Sequence, residues 1–381
     1  MRRLATALVA VAAVALHGCL PTPPLTVTPV VTGLDHVWDI GFTPDGTMLF
    51  TERPGRINAL VAGQRRVLAA PADVVRASEA GLMGLAIDPQ FASNRLIYVC
   101  LASTLGGPAN DVRVARFRVT DGYTGLTERT DIVTGAPVNT TGELGRHSGC
   151  RPRFGPDGTL WIGTGDAAVG NVPQNVRSLG GKILRITRDG APAAGNPGGS
   201  WDPRIWSIGH RNVQGLAWRP SDGLGVSTEH GPDRDDEINR LDPGQFGWDP
   251  VRPPASAYDE SVPMTDTRRF PDARRALVPS GPVTNAFCGA TFLSGERWGT
   301  WDGALVVATL KAESLRSFRL EPTTGRLQDL GITMTGYGRL RSVTQGPDGD
   351  LYVGTSNGGG ADRILRVTPG RSGSAAAPPR P

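Results

Sequence analysis

Along most of this chain, short runs rich in Val, Ile, Leu, Phe, Tyr and Trp are separated at regular turn positions by Gly and Pro. That is the pattern of many β-strands joined by tight turns. One phrase keeps returning. It reads Phe42-Thr43-Pro44-Asp45-Gly46 before Met48-Leu49-Phe50, Ile87-Asp88-Pro89-Gln90-Phe91 before Leu96-Ile97-Tyr98-Val99, and Phe154-Gly155-Pro156-Asp157-Gly158 before Leu160-Trp161-Ile162. It recurs at Trp218-Arg219-Pro220-Ser221-Asp222-Gly223, degenerately at Trp301-Asp302-Gly303 before Leu305-Val306-Val307, and at Gly346-Pro347-Asp348-Gly349 before Leu351-Tyr352-Val353. In Pro-Asp-Gly, Pro presets φ, Asp bonds back to the local backbone and Gly accepts positive φ, so each copy predicts a hairpin. Gly46, Asn94, Gly158, Gly223, Gly303 and Gly349 mark six such units at blade-sized intervals. The prediction is an all-β fold, a six-bladed β-propeller of four-stranded antiparallel blades. A β-sandwich would also contain many short strands, but would not repeat one phrase at these intervals. The extended stretch from Leu25 to Val31 is expected to add an outer strand to the last blade and close the ring.

The ends read differently. Met1-Arg2-Arg3 followed by an apolar run from Leu4 to Leu16 is an export signal, too short for a permanent membrane span. Leu16-His17-Gly18-Cys19 then places a small residue before a cysteine, which predicts cleavage after residue 18 and a lipid on Cys19; a secretory signal cut elsewhere is the alternative. Residues 19–30 are read as a Pro-rich tether, 31–370 as the propeller, and 371–381 as a Gly, Ser, Ala and Pro tail without fixed structure. The expected location is outside the cytoplasm, on the outer face of the cell membrane, held through the N-terminal lipid alone.

Charge removes one class of partner. A net charge of +4 with no basic run interleaved with aromatics argues against nucleic acid. The cysteines show no CxxC or CxxCH pairing, so neither a zinc ribbon nor a covalent haem is expected. Any electron the protein accepts must leave to an external acceptor.

Between the repeats lie polar clusters that turn chemistry does not require. Arg146-His147-Ser148-Gly149 ends an inter-blade connection; its His is either a surface residue or a base. His210-Arg211-Asn212-Val213-Gln214 supplies planar donors suited to carboxylates and ring carbonyls, or a network tying blades together. Glu229-His230-Gly231-Pro232-Asp233-Arg234-Asp235-Asp236-Glu237 combines carboxylates with a Gly-Pro turn, which suits a hard cation such as Ca²⁺ or simply a solvated acidic loop. Lys311, Arg339 and Arg341 complete the set. If these cations converge, their mutual repulsion implies a polyanionic ligand.

The order of these segments, with Thr51-Glu52-Arg53-Pro54-Gly55-Arg56-Ile57, Gly81-Leu82-Met83-Gly84-Leu85-Ala86 and Asp236-Glu237-Ile238-Asn239, resembles the soluble glucose dehydrogenase and aldose sugar dehydrogenase family. The resemblance runs from about Val37 to Val367. It implies a propeller holding pyrroloquinoline quinone (PQQ) and Ca²⁺ at the top of its channel and oxidising a sugar. Carried over position by position, it implies His147 as the catalytic base and Gly231, Pro232 and Asp236 as Ca²⁺ positions, the first two through carbonyl oxygens. It implies Arg211, Asn212, Thr284, Lys311, Arg339 and Arg341 as PQQ contacts, with Gln214 nearby, and Glu79 and Asp166 on the substrate side. PQQ bears three carboxylates and adjacent quinone carbonyls, which account for the cationic set.

Some positions depart from the family pattern. Glu79 replaces an amide of glucose dehydrogenases, and Arg146 stands where some members carry an acid, which leaves the sugar undetermined. Cys150 replaces a usual glycine and Cys288 a usual small residue, in two segments expected to border the cofactor. That joint substitution implies a Cys150–Cys288 disulfide, with Cys100 a buried free thiol. Two other functions compete with the dehydrogenase: a catalytically lapsed propeller lipoprotein acting as a binding or scaffold module, and a Ca²⁺-dependent lactone hydrolase, which would have no use for Lys311, Arg339 and Arg341.

Overall fold

A computed structural model describes residues 23–140, 142–251, 257–321 and 324–370. The signal, Cys19 and the C-terminal tail lie outside these residues, so the expectations attached to them are not addressed by the fold.

Six sheets form six blades. The first has strands Val37–Phe42, Met48–Glu52, Arg56–Val61 and Gln64–Ala69; the second has Leu82–Ile87, Leu96–Ser103, Asp111–Val119 and Leu126–Ala136. The third has Gly149–Phe154, Leu160–Thr164, Lys182–Ile186 and Ile205–Ile208; the fourth has Val213–Trp218, Gly225–Glu229, Glu237–Arg240 and Val278–Pro279. The fifth has Phe287–Phe292, Leu305–Thr309, Ser314–Leu320 and Leu327–Thr333. The sixth takes Leu340–Gln345, Leu351–Thr355 and Asp362–Pro369, and its fourth strand is Leu25–Leu34 from the other end of the chain. That strand pairs from Leu25 opposite Pro369 to Leu34 opposite Asp362, so the propeller takes in residues 25–30 of the stretch read as a tether. The third blade departs from four strands, because Gly244–Gln245 adds a short parallel pairing to Ile205–Ile208.

The first strand of each blade packs on that of the next, and Leu340–Gln345 packs on Val37–Phe42 to complete the circle. Every copy of the repeated phrase joins a first strand to a second. Gly46, Gly158, Gly223, Gly303 and Gly349 all take φ between 73° and 83°, the left-handed conformation the phrase requires. The second copy has no such glycine; Phe91–Asn94 makes a single helical turn instead, and Arg95 takes the left-handed position.

Blades are also tied across the channel. Asp39, on the first strand of blade one, is fully buried and accepts hydrogen bonds from Leu85 N at 2.9 Å and from both terminal nitrogens of Arg153 at 2.7 Å. It also pairs with Arg151, whose guanidinium lies 4.4 Å from the Trp38 ring centroid. Burial works to raise the Asp39 carboxyl, but the two arginines outweigh it and hold the group below the usual carboxylate range.

The sulfur chemistry differs from the expectation. The disulfide joins Cys100 to Cys150, with Cα atoms 6.0 Å apart, and Cys288 is a buried free thiol. The physical reason is strand order: blade four supplies Val213–Trp218 between the first strands of blades three and five, which keeps Cys150 from Cys288. Cys100, on the second strand of blade two, faces blade three directly.

Candidate active site

The residues that precede first strands, and those that follow second strands, collect at the end of the channel opposite the six hairpins. There they line a cavity of about 620 Å³. Glu79, His147, Arg211, Gly231, Pro232, Thr284, Lys311, Arg339 and Arg341 all border it, each expected from the sequence. Asp166, Asn212, Gln214 and Asp236 stand behind the wall and act on the residues in front of them.

His147 is buried. Its Nδ1 lies 2.8 Å from Asp166 Oδ1, so with the aspartate ionised the ring proton sits on Nδ1 and Nε2 keeps its lone pair. Asp166 is fully buried and takes further hydrogen bonds from Ala168 N at 2.8 Å, Trp248 Nε1 at 2.9 Å and Tyr258 Oη at 2.7 Å. Burial alone would raise its carboxyl; His147, Arg211 and Tyr258 overcome that and hold it below the usual range. Beneath it, the Lys182 ammonium donates to three backbone carbonyls, Val172 at 2.8 Å, Pro173 at 2.9 Å and Gly180 at 2.6 Å, which pins the loop that presents Asp166.

Glu79 accepts from Asn212 Nδ2 at 2.8 Å, and Asn212 Oδ1 in turn accepts from Gly149 N and Gln214 Nε2, both at 3.1 Å. Burial opposes the Glu79 charge, but His147, His230, the Asn212 bond and Arg341 keep the carboxyl below its ordinary range. Gln214 Oε1 accepts from Arg341 at 3.1 Å, so Asn212 and Gln214 orient an acid and an arginine that do face the cavity. His230 reaches Cys288 Sγ at 3.3 Å. Burial pushes this imidazole down to about 3 and the thiol up to about 11, so both are neutral at pH 7.

Six cationic side chains line the cavity: Arg53, Arg146, Arg211, Lys311, Arg339 and Arg341. The lining carboxylate is Glu79. Neither Lys311 nor Arg339 has a carboxylate partner among the described residues, and Arg211 Nε is buried without an acceptor. A ligand with several carboxylates and carbonyl oxygens fits this set.

The expected Ca²⁺ donors are arranged otherwise. The Gly231 carbonyl accepts from an Arg211 terminal nitrogen at 2.8 Å. Asp236 spends Oδ1 on Gly231 N at 2.9 Å and Thr284 Oγ1 at 2.6 Å, and Oδ2 on the backbone amides of Asn285 and Ala286. It shapes the loop and does not line the cavity. With Gly231 O engaged by Arg211 and both Asp236 oxygens engaged by amides and a hydroxyl, a Ca²⁺ here would require Arg211 to release Gly231 and Asp236 to give up donors.

Residues 34–366 match the Glucose / Sorbosone dehydrogenase family. The chain belongs to that family. Among relatives of this dehydrogenase family, it is 29% identical to the aldose sugar dehydrogenase YliI of Escherichia coli, covering 88% of this chain and 91% of the relative. A PQQ-bound aldose sugar dehydrogenase from Streptomyces coelicolor superposes with a TM-score of 0.73 at 30% identity, over 91% of this chain and 99% of the other. A putative oxidoreductase (glucose dehydrogenase) of Thermus thermophilus superposes with a TM-score of 0.77 at 36% identity, over 90% of this chain and 100% of that one.

Several site residues of this dehydrogenase-family chain escaped the sequence reading. Arg53 and His230 fell inside segments singled out there but were assigned no role. Trp248, Tyr258 and Glu260 lie in the long insertion between Glu237–Arg240 and Val278–Pro279, where no repeat phrase points to them. Glu260 bridges two cavity arginines, Arg146 at 2.7 Å and Arg211.

Proposed function

We propose that this chain oxidises an aldose at its anomeric carbon with PQQ as the bound oxidant, passing the electrons to an external acceptor. The observation that carries the reading is the His147–Asp166 pair opening onto a cavity lined by six cations. When bound, PQQ supplies a quinone able to accept a hydride. The protein's part is binding, orientation and proton removal. Lys311, Arg339, Arg341 and Arg211 neutralise the carboxylates and hold the ring system in register. Nε2 of His147 takes the anomeric hydroxyl proton as hydride leaves that carbon, so the sugar becomes a lactone. Asp166 keeps the other ring proton in place and stabilises the imidazolium that forms, in the manner of a base and its orienting carboxylate. Glu79, ionised at the edge of the cavity, offers an acceptor for a second sugar hydroxyl.

Purified protein given PQQ, with and without Ca²⁺, should bind it saturably and reduce an electron-accepting dye when an aldose is added. His147→Gln should keep PQQ binding and slow turnover by about 10² to 10⁴-fold. Lys311→Ala or Arg339→Ala should instead weaken PQQ binding. Absence of saturable PQQ binding to folded protein under both conditions would overturn the enzyme reading in favour of a scaffold. The N-terminal signal and Cys19 support a companion proposal, that the enzyme works outside the cytoplasm as a lipid-anchored protein.

A further inference from the structure

Asp166 takes four donors on two oxygens, and two of them, Trp248 and Tyr258, come from outside the repeats. Tyr258 lies in the insertion of blade four, yet its hydroxyl reaches Asp166 Oδ2 at 2.7 Å and stands 3.3 Å from His147 Nδ1. Its ring lies 6.0 Å from the imidazole and 6.1 Å from Trp248, whose Nε1 donates to the same carboxylate oxygen. The hydroxyl has one proton. A buried carboxylate can only accept, so that proton goes to Asp166, and the phenol oxygen can only accept from the Nδ1–H of His147. Both actions favour the ring form with Nε2 bare.

We propose that Tyr258 is a positioning residue for the base, which it acts on through Asp166. This rests on the reading of His147 as the proton acceptor. Two opposite effects on His147 follow from the hydroxyl. Donating to Asp166 draws charge off the carboxylate and weakens its hold on an imidazolium; accepting from Nδ1–H strengthens that hold. The 2.7 Å bond to an ionised group outweighs the 3.3 Å contact. The net effect of the hydroxyl is to weaken the hold of Asp166 on an imidazolium, and removing it should strengthen that hold. The other titratable and charged groups around this pair are Glu79, His230, Arg146, Arg211 and Lys182, with Glu260 on the Tyr258 segment bridging Arg146 and Arg211; Tyr258→Phe keeps the ring that Arg146 lies over at 5.9 Å and removes only the hydroxyl.

The test is a ¹⁵N-histidine NMR titration of PQQ-free protein, with the resonance of His147 identified by its loss in His147→Gln. Tyr258→Phe should move its midpoint up by about half a unit to one unit, the size of one charge-assisted bond spread over two protonation states. His36, His210 and His230 should not move in parallel. Replacing the five tyrosines by 3-fluorotyrosine, a more acidic phenol and a better donor, should move the His147 midpoint the other way; it serves also if Tyr258→Phe folds poorly. In PQQ-loaded enzyme the acid limb of kcat should follow the NMR shift while PQQ affinity stays constant. An unmoved His147 midpoint in both proteins would overturn the proposal. Because the titration needs no cofactor, that failure is separate from a failure to bind PQQ or oxidise a sugar.

Discussion

The Cys100–Cys150 bridge offers a sharp test of how the blades are held. It joins blades two and three across a sequence separation of 50 residues. In the chain-entropy account, closing a loop of that length removes about 4 kcal/mol from the denatured ensemble at 25 °C. The native side adds little, since both cysteines are buried and an alanine pair at these positions loses only two sulfurs from a packed core. The perturbation is the double variant Cys100→Ala, Cys150→Ala, and the assay is urea unfolding followed by tryptophan fluorescence, with and without reductant. Oxidised wild type should exceed the double variant by about 4 kcal/mol, and reductant should lower the wild type towards the variant while leaving the variant alone. Cys288→Ala, which opens no loop, should change stability far less and keep its full response to reductant. The reasoning is refuted if reductant moves the wild type by less than about 1 kcal/mol, or if peptide mapping finds Cys288 in the bridge.

Asp39→Asn should destabilise the fold by about 3 to 5 kcal/mol, because it leaves Arg151 and Arg153 uncompensated in the channel. As the folded carboxyl is held below its ordinary range, its contribution is present above about pH 4 and lost as pH falls through the lower folded value; Asp39→Asn should flatten that part of an acid-unfolding curve. For the proposed lipid anchor, native protein should fractionate with membranes and Cys19→Ala should not; equal partitioning of the two would remove the anchor.

The legible part of this protein was what repeats. Pro-Asp-Gly at Gly46, Gly158 and Gly349 announces a turn by its own chemistry, so the hairpins, and from their number the blades, followed from local residues. The cavity residues were legible where the segment wording resembled a family, as at His147 and Arg339. Two things were not legible. The partner of Cys150 depends on which strands adjoin across blades, and a cysteine's sequence neighbours carry no trace of that. Tyr258 and Glu260 sit in an insertion whose local sequence predicts no element, and their roles come from what they touch, Asp166 in one case and two arginines in the other. Asn212, Gln214 and Asp236 show a related limit: residue type marks them as polar and important, but only the three-dimensional arrangement separates side chains facing the cavity from those holding the wall.

The same arrangement explains how six cations coexist around one cavity. They are mounted on different blades: Arg53 follows a strand of blade one, Arg146 precedes blade three, Arg211 precedes blade four, Lys311 follows a strand of blade five, and Arg339 and Arg341 open blade six. Spreading the ring would relieve their repulsion. Asp39 across the channel, the bridge between blades two and three, and Leu25–Leu34 pairing with the last blade all oppose that motion. Glu260 compensates part of the charge at Arg146 and Arg211, while Lys311 and Arg339 are left without a carboxylate among the described residues. A polyanion therefore meets cations already in place and does not have to gather them, which is the condition under which charge-assisted contacts contribute most to binding and least to reorganisation. The closed ring is thus part of the site: it holds like charges together until a ligand neutralises them.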